Sequence, residues 1–115
     1  ETLSLVVSEV EKDVELQDLG SPQEVGERLM LEVIAPEGAG REASLLETKK
    51  REAFDHTFYD LEYSVHLQDR DRHELATVVI DRGYLYTFAA STNEARWEKI
   101  RNIFESSITS FRFLI

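Results

Sequence analysis

The chain has 115 residues, a formal net charge of −10 and no cysteine, with 42% apolar and 31% charged residues. That length suits one hydrophobic core and not two independent ones. The acidity speaks against nucleic acid, whose phosphates require clustered Lys and Arg, and the missing thiols exclude a disulfide framework, Cys-ligated zinc and a thiol nucleophile. No apolar run approaches the roughly 20 residues of a bilayer span, so any membrane contact is peripheral.

Glu1 stands directly ahead of Leu3, Leu5 and Val7, which alternate with Ser4 and Val6 at the two-residue period of a strand. A chain opening this way is expected to be processed or partial, with any targeting signal upstream. The acidic stretch from Glu9 to Asp18 is too irregular for a regular element and reads as a loop. Ser21, Pro22 and Glu24 then combine a hydroxyl N-cap, proline at the first helical position and a capping-box carboxylate. Val25, Leu29, Met30, Val33 and Ile34 give the ensuing helix one apolar face. Pro36, Gly38 and Gly40 end it. This glycine-bearing loop lacks the Lys and Ser or Thr that a phosphate-binding loop needs.

A strand is expected from Glu42 to Ala53, carried by Ala43, Leu45 and Leu46. From Thr57 to Leu67 the alternation is cleaner, with Tyr59, Leu61, Tyr63 and Val65 on a buried face and Phe58, Asp60, Glu62, Ser64 and His66 on the other. After a polar connection from Gln68 to Arg72, strands over Glu74 to Ile80 and Tyr84 to Ala90 flank Asp81-Arg82-Gly83, a three-residue hairpin loop ending in a left-handed glycine. Ser91 and Glu94 repeat the capping-box spacing and predict a second helix starting near Thr92. Trp97, Ile100, Phe104 and Ile108 form its inward stripe. Ser110 to Ile115 returns to strand period. The order β-α-β-β-β-β-α-β, with both helices covering one mainly antiparallel sheet, is an α+β layer architecture.

With these elements placed, His73-x-Leu75, Gly83-x-Leu85-Tyr86, Arg96-Trp97 and Ser110-Phe111 fall where the PsbP family of thylakoid lumen proteins has similar residues. Leu3 to Val7 and Gly20-Ser21-Pro22-Gln23-Glu24 extend the resemblance upstream. It implies an α/β/α sandwich with a central antiparallel sheet, and a single domain over residues 1–115 that lacks the family's N-terminal strands. The implied function is that of a non-catalytic extrinsic subunit or assembly factor. Its partners would be subunits of a thylakoid membrane complex on the lumenal side, in chloroplast or cyanobacterium. Photosystem II is the first expectation and the chloroplast NADH dehydrogenase-like complex the alternative.

Candidate chemistry is sparse. By resemblance, His73 with Glu94 is a candidate site for Zn²⁺ or Mn²⁺, although two ligands make an open, weak site. Read from its place alone, His73 is a surface histidine at a strand start. Asp69, Asp71 and His73 at two-residue spacing could hold a hard cation such as Ca²⁺ loosely, but Arg70 and Arg72 interleave, which favours a solvated loop. His56 and His66 have no convergent partner legible in the sequence. No serine lies in a glycine-flanked nucleophile elbow, so an enzyme is not expected. Trp97 belongs to the core stripe rather than to an interface. Lys49-Lys50-Arg51 and Arg70-x-Arg72 read as solvated faces, with contact to acidic partner loops or anionic lipid as the functional alternative.

Overall fold

The computed structural model describes residues 1–112. Strands β1 (Thr2–Glu9), β2 (Glu42–Ala53), β3 (His56–His66), β4 (Asp71–Asp81) and β5 (Tyr84–Asn93) form one sheet in the order β1-β5-β4-β3-β2. Every neighbouring pair is antiparallel. Helix α1 (Pro22–Leu29) follows β1, and helix α2 (Trp97–Ser110) follows β5. The helices lie on opposite faces. On one, Gly26 of α1 sits so close to Leu45 and Leu61 that an added Cβ would stand 2.9 Å from a Leu45 methyl. On the other, Trp97 of α2 stacks on His73 of β4. The result is an α/β/α sandwich, with the layers that α+β patterning and the resemblance implied.

The face toward α1 is apolar. Tyr59, Leu61, Tyr63 and Val65 pack with Ala76, Val78, Val25 and Met30, and with Leu16 from a short 3₁₀ turn (Leu16–Leu19) in the expected loop. The first capping box forms as predicted: Glu24 N–H donates to Ser21 Oγ at 3.2 Å and Ser21 N–H to Glu24 Oε1 at 2.9 Å. Beyond Leu29 the helix widens into a π turn (Met30–Ile34), closed by Ala35 N–H donating to the Met30 carbonyl. Its wider turn breaks the 3.6-residue stripe, leaving Val33 exposed while Met30 stays buried.

Four further expectations are corrected. Asp81 pairs with Tyr84, so the hairpin loop is only Arg82-Gly83, both at positive φ, the two-residue loop that suits sheet twist. A bulge between Leu45 and Glu47 turns Leu46 outward. Ser91 and Thr92 remain in β5, a 3₁₀ turn (Glu94–Arg96) follows, and α2 begins only at Trp97. The second capping box is absent because both members have other partners: Ser91 Oγ donates to Glu74, and Glu94 meets His73. Finally, Ser110 ends α2 and Phe111, at its C-cap, stacks on Phe88 at 5.0 Å. The rest of the expected last strand, residues 113–115, lies outside the described residues.

Candidate functional site

The face of β3 expected to meet solvent is also buried. Phe58 is fully enclosed and Asp60 nearly so, on the same side of the sheet where Trp97, Ile100 and Phe104 of α2 pack against Ala90 and Leu75. A polar side chain there must find a partner or bear the cost of desolvation. Asp60 accepts from Arg51 Nε at 2.7 Å and Nη2 at 3.1 Å, and from Thr77 Oγ1 at 2.8 Å. The Arg51 guanidinium also lies 4.4 Å from the Phe58 ring centre. Arg51 is therefore a half-buried ion-pair member, not part of a solvated basic run, and only Lys49 and Lys50 of that run are exposed.

His73 lies deeper still, at 4% exposure, which corrects its reading as a surface residue. The cause is Trp97: its ring stacks on the imidazole at 4.0 Å and 19°, closing the histidine against the sheet. Nδ1 faces Glu94 Oε2 at 2.9 Å and Nε2 faces Glu62 Oε2 at 2.7 Å. Both ring nitrogens are thus engaged by carboxylates. Glu62 was missed as a partner. Its signal was Phe58, a large aromatic on the supposedly polar face of the same strand. The neighbouring junction is held by Glu1, which accepts from Arg96 Nε at 2.6 Å and Thr92 Oγ1 at 3.1 Å. These two bonds, Arg96 first, hold its carboxyl below the usual range.

Between α2 and the β2–β3 edge lies an open cleft of about 280 Å³, flanked by Glu47, Lys49, Asp60, Glu62, Arg101 and Glu105. Its inner carboxylates are already paired, Asp60 with Arg51 and Glu62 with His73, and at its exposed rim Glu105 lies 3.6 Å from Arg101. Across the sheet, the Tyr63 hydroxyl has no well-aligned hydrogen bond, and burial, reinforced by nearby Glu74, pushes its pKa far above the ordinary range.

The remaining candidates do not converge. Asp69 lies in the loop beside Arg70, and Asp71 pairs with His66, which raises the histidine's pKa through the hydrogen bond first and the charge second. Arg72 is occupied by Ser91 and Asn93. His56 meets Asp81 at 2.8 Å. Among the described residues, no three His, Asp, Glu or Cys groups are placed to hold one metal ion. His73 and Glu94 do come together. Their contact is a hydrogen bond between the buried ring and a half-exposed carboxylate, and Glu62 takes the other ring nitrogen. Trp97, Ile100 and Phe104 form the core stripe expected of them.

The chain is thus an α/β/α sandwich whose α2-facing side encloses a histidine between a tryptophan and two carboxylates. Residues 1–113 match the family model described as PsbP, and the chain belongs to that family. CyanoP of Thermosynechococcus vestitus is 39% identical over 116 residues, covering 96% of this chain and 63% of that protein. PsbP-like protein 1, chloroplastic, of Arabidopsis thaliana is 27% identical, covering 87% of this chain and 43% of that one. The solution structure of CyanoP from Synechocystis superposes with a TM-score of 0.84 at 37% identity, over 97% of this chain and 66% of the other. The chain thus spans less than two thirds of these relatives' length. They are cyanobacterial and chloroplastic proteins, which places the family in a photosynthetic setting.

Proposed function

We propose that the protein is a non-catalytic accessory subunit or assembly factor that binds the lumenal side of a photosynthetic membrane complex, with photosystem II the first candidate. The observation that carries this reading is the PsbP match over residues 1–113, joined to the resemblance to CyanoP. Its support in the geometry is that the ionisable groups inside the α2 face are committed to one another: Arg51 to Asp60, and His73 to Glu62 and Glu94. Such groups hold the domain together and leave recognition to its outer surface. Affinity purification of the tagged protein from thylakoid membranes tests the reading. Photosystem II subunits are the expected co-purifying proteins. Dehydrogenase-like subunits would favour the other branch, and recovery of neither would refute both.

A second reading, Zn²⁺ or Mn²⁺ at His73 and Glu94, is favoured by their 2.9 Å approach and by the half-exposed Glu94 carboxylate. A cation there must replace the direct contact between the ring and Glu94 and work without a third protein ligand among the described residues. Calorimetric titration with Zn²⁺ and with Mn²⁺ decides it. Binding that is lost in His73→Ala supports the site, and binding unchanged by that substitution removes it.

A further inference from the structure

Among the described residues, the four non-glycine residues with positive φ, Asp13, Phe54, Asp55 and Arg82, gather at one end of the molecule. Asp13 and Arg82 line one cleft there, and Asp55 lines its neighbour with His56. Left-handed backbone is costly for residues with a Cβ, and Phe is a poor choice for it. The β2–β3 turn places Phe54 at +52° and Asp55 at +61°, positions where two-residue hairpins usually carry Asn and Gly. Something must hold this turn. The residue immediately after it does: His56 Nδ1 lies 2.8 Å from the Phe54 carbonyl, and Nε2 lies 2.8 Å from Asp81 Oδ1 at the end of β4.

Phe54 O and an ionised Asp81 are both acceptors, so both ring nitrogens must donate, and only the imidazolium does so. We propose that His56 is a proton-operated clamp that, when protonated, fastens the strained β2–β3 turn to the β4–β5 hairpin and, on losing its proton, releases one of the two. The charged groups around it favour the closed form. Asp81 contacts the ring directly, and Asp55 stands beside it in the turn. Glu15 lines the same cleft from the loop after β1, and Glu52 of β2 reaches it through Thr57. Opposing cations are remoter: Arg82 lies 3.9 Å from the other Asp81 oxygen, and Arg112 sits over the Phe54 ring at 5.0 Å. Burial by itself would lower the histidine's pKa, but the hydrogen bonds to Asp81 and Phe54 and the nearby carboxylate charges together raise it. With the folded value above the unfolded one, the clamp's stabilisation is complete below the unfolded value and is lost as pH rises through the folded one.

The test is an NMR titration of the whole chain from about pH 5 to about pH 9, following the His56 ring and the Phe54, Asp55 and Asp81 amides. One shared midpoint, above the roughly 6.5 of a free histidine, is expected. Asp81→Asn should weaken His56 proton affinity by roughly tenfold, whereas His66→Gln, which removes the other raised histidine, should leave the midpoint in place. A His56 midpoint at or below the free value, or turn amides that do not move with the ring, would overturn the proposal. The wild-type titration decides this even if a variant fails to fold.

Discussion

The two faces of the sheet are buried by different means. Toward α1, Tyr59, Leu61, Tyr63 and Val65 meet Val25, Gly26 and Met30, and removal of apolar surface from water provides the stabilisation. Toward α2, Arg51, Asp60, Glu62 and His73 lie interleaved with Phe58, Val79 and Trp97, so burial there depends on each charge finding its counterpart. Close packing on the first face tolerates hydrophobic exchange. The second is less forgiving, because deleting one partner strands another.

That contrast sets the order of expected effects in urea denaturation. Arg51→Ala strands a buried Asp60 carboxylate and should cost about 3 to 5 kcal/mol, while replacing both partners with apolar residues should recover much of the loss. Leu61→Ala, on the apolar face, should cost about 2 to 5 kcal/mol through lost transfer and a cavity, with no second-site charge substitution able to restore it. His73→Ala removes the stacking partner of Trp97 and the donors for Glu62 and Glu94. A loss of about 2 to 3 kcal/mol and altered Trp97 fluorescence are expected. If Arg51→Ala proved as mild as a surface substitution, the charge-paired description of the α2 face would fail.

Smaller effects sharpen the picture at the edge of the apolar face. Ser21→Ala should cost about 1 kcal/mol by uncapping α1. The Glu24 carboxyl of the same box is held below its ordinary value chiefly by the Ser21 amide and then by the Ser21 hydroxyl. Its contribution is therefore present above the ordinary carboxylate value of 4.5 and fades as pH falls through the lower folded value. The α1 amides, followed by NMR, should titrate below that value in the wild type, and the shift should shrink in Ser21→Ala.

How much could be read beforehand follows the same division. Strand alternation and the first capping box marked the α1 face correctly because hydrophobic burial leaves a periodic trace. The α2 face was misread as solvated, since Asp60, Glu62 and His73 are polar by type and their partners are distant in sequence: Glu62 is 11 residues from His73, and Glu94 is 21. Ser91 and Glu94 have the spacing of a cap, but tertiary contacts with Glu74 and His73 claimed them. Of the candidate metal pair, sequence reasoning brought the two residues together but not the burial of His73 or the second carboxylate.

The role proposed for this domain is docking on a photosynthetic complex rather than chemistry within its paired interior. Native-gel electrophoresis of mildly solubilised thylakoid membranes carrying the tagged protein tests it most directly. The tag should comigrate with photosystem II subunits. Migration solely at the position of the free protein, under conditions that leave the complexes intact, would contradict the account.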